Sequence, residues 1–223
     1  MAYSNQAGDF AGGSLTGMDI ISQVELKKTV EILKKGGVVA FPTDTVYGIG
    51  ASSKIESAIA RIFEIKQRPR SKPLQFFLSD LSEILSVAAS MSESACCLAQ
   101  SFLPGGLTLI LPRSSHLSEI ATSGGDTVAI RIPDHPVPIA LVRELGAPIV
   151  GTSANISGQP SPTTAEEVRE ALAGKVDLIL EGTCYQARES TIVNVSSEVP
   201  RLMREGAIPR EELEKVCGRV ITG

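Results

Sequence analysis

Strand-length runs recur along this chain at 38–41, 74–78, 107–111, 127–132, 148–151, 177–180, 191–195 and 201–204. They are too short for stable helices and are bounded by Pro, Gly or polar residues, so they read as strands. Between some of them lie stretches with helical spacing. Ser22-Gln23-Val24-Glu25 has the pattern of a capping box, Leu26, Val30 and Leu33 follow at helical intervals, and Gly36-Gly37 supplies a stop. Ile55, Ala58, Ile59, Ile62 and Phe63 form a second such pattern, broken at Pro69. Further helices are expected within 80–89, 92–102, 136–145 and 164–173, with a last one opened by Pro209. Other strand-like runs follow one another with no helix between them. This irregular alternation predicts a single α/β domain with a mixed sheet rather than a regular parallel one.

Composition narrows the function classes. The chain has 223 residues, 43% apolar and 21% charged, an ordinary globular balance. A formal net charge of −4 argues against coating nucleic acid through bulk charge, so any anion site is a local basic cluster on an acidic body. Cys96, Cys97, Cys184 and Cys217 have neither C-x-x-C spacing nor nearby histidines, which suggests free thiols and no zinc site or disulfide framework. No apolar run reaches membrane-spanning length, and the first residues carry no signal-peptide pattern. Residues 1–17, rich in Gly, Ser and Ala, read as a disordered extension before a domain at 18–223. A cytoplasmic protein is expected.

Three segments could carry chemistry. In 66–74, Lys66, Arg68, Arg70 and Lys72 alternate with other residues at a helix end, stiffened by Pro69 and Pro73. Several cations in one place suit a polyphosphate, although a solvated charge run closing a helix dipole has the same pattern. In 41–50, Thr43, Asp44, Thr45 and Tyr47 follow a strand, where α/β folds place ligand loops. Gly48-x-Gly50 is too little for a dinucleotide fingerprint, and an ordinary turn would use the same residues. In 151–163, Gly, Ser, Thr and Asn crowd a loop that lets backbone N–H groups approach phosphate. It is neither a Walker A loop nor a serine-hydrolase elbow. Arg131, Glu189 and Arg204 are lesser candidates for an anion site, and His135 reads as structural. Asp44 and Glu189 could touch a metal, but no spacing supports a dedicated metal cage.

Taken together, these segments resemble the YrdC-like family of threonylcarbamoyl-AMP synthases. The resemblance rests on runs in family order: Pro42-Thr43-Asp44-Thr45-Val46-Tyr47-Gly48, Lys66-x-Arg68-Pro69 with Pro73-Leu74, and Phe102-Leu103-Pro104-Gly105-Gly106-Leu107-Thr108. It continues through Val128-Ala129-Ile130-Arg131-Ile132-Pro133, Ser153-Ala154-Asn155-x-Ser157-Gly158, Ser161-Pro162-Thr163, Glu189-Ser190-Thr191-Ile192-Val193 and Arg204-x-Gly206. Two runs depart from the family pattern: Leu103-Pro104-Gly105-Gly106 stands where Pro-Gly-Pro is common, and Gly151-Thr152 where Ala-Pro is common.

The resemblance implies a twisted mixed sheet with flanking helices around a large basic cleft, in a short form without an extra C-terminal domain. It implies a nucleotidyltransferase that makes threonylcarbamoyl-AMP and pyrophosphate from ATP, L-threonine and bicarbonate. Magnesium would arrive with ATP, and the product would pass to a threonylcarbamoyl transferase complex that modifies tRNA. Carried over by position, Lys66, Arg68, Ser153 and Asn155 are the expected catalytic residues. Lys66, Arg70, Thr127, Ser153, Ser161 and Arg204 are expected on ATP, and Thr43, Arg131, Gly151 and Ser190 on threonine. Gln75 has no assigned role. Two alternatives stay open: an RNA-binding module without catalysis, weakened by 4% aromatic content, and carbamoyl-adenylate chemistry on another acceptor.

Overall fold

The structure is a computed structural model and describes residues 21–172 and 174–222. The expected extension at 1–17 lies outside the described residues. Seven helices are found among them: α1 (Gln23–Lys34), α2 (Glu56–Lys66), α3 (Glu93–Phe102), α4 (Glu119–Thr122), α5 (Pro136–Leu145), α6 (Ala165–Leu172) and α7 (Arg210–Cys217). The strands are β1 (Val39–Phe41), β2 (Gly48–Ser52), β3 (Gln75–Phe77), β4 (Leu107–Pro112), β5 (Thr127–Arg131), β6 (Ile149–Ser153), β7 (Leu178–Ile179), β8 (Thr191–Asn194), β9 (Arg201–Arg204) and β10 (Ile221–Thr222).

All ten strands join one sheet in the order β10-β9-β8-β4-β5-β3-β6-β2-β1-β7. The pairs β1–β7, β3–β5, β4–β8 and β9–β10 are parallel and the others antiparallel, so the mixed sheet expected from the sequence is present. No helix among the described residues is long and apolar enough to cross a membrane.

Period-two side-chain alternation divides the core between the two sheet faces. Val39, Phe41, Phe77 and Ile149 pack with Leu26, Val30 and Leu33 of α1 and Leu141 and Val142 of α5. Their neighbours Val38, Ala40, Phe76, Leu78 and Val150 belong to the larger cluster on the other face, with α2, α3 and α7. Helix α1 starts where the sequence places it: Ser22 accepts from the Glu25 backbone N–H, and the Glu25 carboxylate reaches back to the Ser22 N–H.

Two local readings differ from the sequence-based expectation. The stretch within 80–89 forms a 3-10 turn at Leu81–Ser86, capped by Asp80, rather than an α-helix. Residues 48–50, read as part of a loop, belong to strand β2, an inner strand of the sheet paired with both β1 and β6. A Cβ on Gly50 would come within 2.4 Å of Ile149 Cγ2, and one on Gly151 within 2.2 Å of the Ile49 carbonyl. Close strand packing, and no dinucleotide, accounts for Gly50.

Candidate active site

A cavity of about 580 Å³ opens on the sheet face that carries Gln75 and Phe77, Thr108 and Ile110, and Ala129 and Arg131, residues spaced by two on β3, β4 and β5. Phe77 also belongs to the cluster beneath α1 and α5, so those helices cover one part of this face and leave the rest open. The volume is within the range of small-molecule sites. Lys66, Arg68, Lys72, Arg131 and Arg204 line it, and Glu189 is the one carboxylate among its lining residues. Of the five basic side chains, Arg131 is paired with the buried Asp44 carboxylate and Arg204 with Glu189.

The Lys66 side chain is 1% exposed at the last position of α2. Its ammonium donates to the Ser153 carbonyl at 2.5 Å, the Asn155 carbonyl at 2.6 Å and Asn155 Oδ1 at 3.0 Å. Three N–H donors thus meet three oxygens, and the Ser153–Asn155 loop absorbs all of them. The loop is fixed at other points too. Ser153 Oγ donates to Asn155 Oδ1 at 2.6 Å, Asn155 Nδ2 donates to the Gln159 carbonyl at 2.6 Å, and the Ser157 N–H caps the Lys66 carbonyl at 2.9 Å. Burial, and then the Arg68 cation, push the Lys66 ammonium down to about 7, while Glu189 opposes the shift.

Beyond Lys66 the chain turns through Gln67 in the left-handed region, φ 51°. Arg68 then folds back on its own loop, with Nε donating to the Lys72 carbonyl at 2.9 Å and Nη2 to the Pro73 carbonyl at 2.8 Å. Its guanidinium still lines the cavity, and burial followed by the Arg204 cation lowers its pKa.

At another part of the cavity, Arg131 is 3% exposed. Its Nη2 donates to Asp44 Oδ1 at 2.7 Å, Nη1 to Thr45 Oγ1 at 2.8 Å and Nε to the Gly105 carbonyl at 3.1 Å. A guanidinium has five N–H donors, so two remain for a ligand. Burial raises the Asp44 carboxyl and lowers Arg131, and their pairing opposes both shifts. Asp44 Oδ2 is buried with no partner. Thr43 Oγ1 closes the same turn by donating to the Val46 carbonyl at 2.7 Å and accepting from the Thr45 N–H at 3.1 Å.

Glu189 and Ser190 form the remaining wall. Glu189 bridges Arg204 Nη1 and Ser161 Oγ, the latter at 2.6 Å. Arg204 also holds the Ser190 carbonyl through Nε at 3.1 Å and Nη2 at 2.9 Å.

Of the expected site residues, Thr43, Lys66, Arg68, Arg131, Ser153, Asn155, Ser190 and Arg204 line this one cavity. Ser161 reaches it only through Glu189. Gly151 sits inside the sheet, opposite Gly50 on β2 and Gln75 on β3. Arg70 and Thr127 do not line it. Arg70 lies over the Phe63 ring, 4.9 Å from its centroid, and 3.8 Å from Glu64, because the turn after Arg68 carries it outward. Thr127 is at the far end of β5, paired with Pro112. Lys72, one of the four cations read as suiting a polyphosphate, also lines the cavity, whereas Thr108 and Ser157 were given no role by the sequence. A signal for Thr108 was a hydroxyl within the apolar run 107–111, out of phase with Leu107, Leu109 and Leu111. His135 caps α5 through Nδ1 and stacks on Tyr185, consistent with a structural role.

Among the described residues no group of three or more His, Cys, Asp or Glu side chains is arranged to hold a metal. With Glu189 already engaged by Arg204 and Ser161, the lining does not fit a resident magnesium ion.

The Sua5_yciO_yrdC family model, described as "Telomere recombination", matches residues 31–206. The chain is 42% identical over 198 residues to the threonylcarbamoyl-AMP synthase of Bacillus subtilis, covering 88% of this chain and 57% of that protein. The structure of Pyrococcus abyssi Sua5 complexed with L-threonine superimposes with a TM-score of 0.88 at 40% identity, over 92% of this chain and 60% of the other. Escherichia coli YciO matches with a TM-score of 0.78 at 30% identity, over 85% and 92%. The chain therefore spans about three-fifths of the length of the B. subtilis and P. abyssi proteins. By the extent of the family match and by these identities, the chain belongs to the Sua5/YciO/YrdC family.

Proposed function

We propose that the chain is a threonylcarbamoyl-AMP synthase, which joins L-threonine, bicarbonate and ATP and releases pyrophosphate. The observation that carries this reading is one cavity with two unlike ends. Arg131 keeps two unused donors at one end, Arg68 and the Ser153–Asn155 loop lie at the other, and Arg204 stands between them, bonded to Ser190. The two spare donors of Arg131 suit an amino-acid carboxylate in bidentate geometry. Cations beside a fixed loop suit a triphosphate. L-threonine in the related P. abyssi protein supports the amino-acid half of this reading.

Threonine's amine and bicarbonate condense to a carbamate with loss of water. A carbamate oxygen then bonds to the α-phosphorus of ATP, and the bond from that phosphorus to the β-bridging oxygen breaks, with pyrophosphate taking the electron pair. Both reactants are anions, so the barrier consists largely of repulsion and lost freedom. Arg68, Arg131 and Arg204 offset the first, and fixed binding at both ends offsets the second. Lys66 acts mainly by holding the Ser153–Asn155 loop in shape. Magnesium enters as part of the nucleotide substrate and screens the leaving pyrophosphate. The product is an activated acyl donor suited to a downstream transferase acting on tRNA, and a cytoplasmic setting suits four free thiols.

Incubation with ATP, threonine and carbon-13 bicarbonate, followed by mass spectrometry, tests this reading. A product containing threonine, AMP and one labelled carbon is expected. AMP formation without incorporated label would sink it.

A further inference from the structure

A line of hydrogen bonds crosses the cavity wall from β3 to β9. Thr108 Oγ1 donates to Gln75 Oε1 at 3.1 Å, Thr108 Oγ1 and Ser190 Oγ are 2.9 Å apart, and Arg204 Nη2 donates to Ser190 Oγ at 3.3 Å. Each hydroxyl has one proton and two lone pairs. The Thr108 proton is directed to Gln75, so the 2.9 Å bond carries the proton of Ser190 toward Thr108. One lone pair of Ser190 Oγ then receives Arg204. The other is left over, on a residue that lines the cavity. An oxygen in that state accepts a hydrogen bond and cannot donate one to a carboxylate or phosphate.

Packing does not explain the Thr108 hydroxyl. The residue is 1% exposed between Leu107 and Leu109, where valine would fill nearly the same volume. Burying a hydroxyl there has a cost that its two partners offset.

We infer that Thr108, anchored by Gln75, is a positioning residue that turns Ser190 Oγ into an acceptor for an N–H or O–H group of the amino-acid substrate. The inference rests on the proposed function and deepens it. Arg131 offers donors and Ser190 an acceptor, so the cavity imposes a polarity on the amino acid: carboxylate at Arg131, amine or hydroxyl at Ser190.

Calorimetric titration of L-threonine, with and without ATP, tests this on the full chain and on Thr108→Val, Thr108→Ser, Ser190→Ala and the double variant Thr108→Val/Ser190→Ala. Thr108→Val is expected to weaken threonine binding roughly five- to tenfold, the scale of one hydrogen bond, with ATP affinity unchanged. Thr108→Ser restores the binding, and Thr108→Val adds nothing in the Ser190→Ala background, because it acts through Ser190. Unaltered threonine affinity in Thr108→Val, or fully additive losses in the double variant, would overturn the inference and leave the proposed function standing. Absence of threonine binding by the unaltered chain would overturn both.

Discussion

Asp44 Oδ1 accepts from Arg131 Nη2 at 2.7 Å, between side chains that are 2% and 3% exposed. The two residues come from the turn after β1 and the end of β5, and each lies in a segment that a sequence reader would assign to ligand binding. Their first task is to satisfy one another. A buried guanidinium without a counter-charge is costly, so Asp44 keeps Arg131 in place and aims its two remaining donors.

Asp44→Ala is therefore expected to destabilise the fold by about 3–5 kcal/mol, the range for removing one partner of a buried ion pair. Asp44→Asn, which keeps an acceptor of the same shape, should cost less. Urea unfolding of both variants checks the order. Equal stability of Asp44→Ala and the unaltered chain would show that the pair does not anchor Arg131.

Arg68→Lys keeps the charge but loses the planar fork that bonds the Lys72 and Pro73 carbonyls. The variant should fold normally and show a KM for ATP raised about tenfold, with the KM for threonine little changed, as expected for a contribution near that of one charged hydrogen bond. A change confined to threonine would move Arg68 to the other end of the cavity.

Lys66 makes stability depend on pH. Its folded pKa, about 7, lies below the ordinary lysine value of 10.5, so the unfolded chain binds more protons between those two values. The free energy of unfolding should then rise with pH from about 7 upward. The Cys184 thiol, pushed up to about 11 by burial, and the Cys217 thiol, also raised by burial, act in the opposite sense as pH approaches 9, and comparison with Lys66→Met removes their contribution. From about pH 7 to 9 the unaltered chain should gain on the order of 2 kcal/mol relative to Lys66→Met. Parallel stability curves for the two proteins would contradict the assignment.

Gly151→Ala keeps the backbone groups expected beside threonine, yet it should be tolerated poorly. The added methyl meets the Ile49 carbonyl at 2.2 Å and the Phe77 ring at 3.0 Å, so β2 and β6 must separate. A loss of about 1–3 kcal/mol, typical of overpacking, is expected in thermal unfolding. An unchanged melting temperature would place the constraint on Gly151 elsewhere.

Much of this architecture was legible in the sequence because local rules and tertiary context agree. The capping box at Ser22, the stop at Gly36-Gly37 and the apolar strands each specify their own element. Strand β2 was hidden because Gly48-Ile49-Gly50-Ala51-Ser52 has few large apolar side chains, and its glycines answer to neighbours on other strands. The cavity residues were visible as motifs, but their pairings were not. Asp44 and Arg131 are 87 positions apart, and nothing local announces that one occupies the other. Lys66 read as a phosphate-facing cation, whereas its three donors are taken up by a loop 87 and 89 positions onward. Arg70 shared the alternating pattern of the cations before it, but the turn at 69–72 directs it away, onto the Phe63 ring and toward Glu64.

The central claim is that one cavity couples an amino acid to the α-phosphate of ATP. Pyrophosphate release, followed with ATP, bicarbonate and each of the common amino acids in turn, tests it most directly. Release that requires bicarbonate and occurs with threonine, falling sharply with every other amino acid, is the expected result. Release independent of the amino acid supplied, or none with threonine, would contradict it.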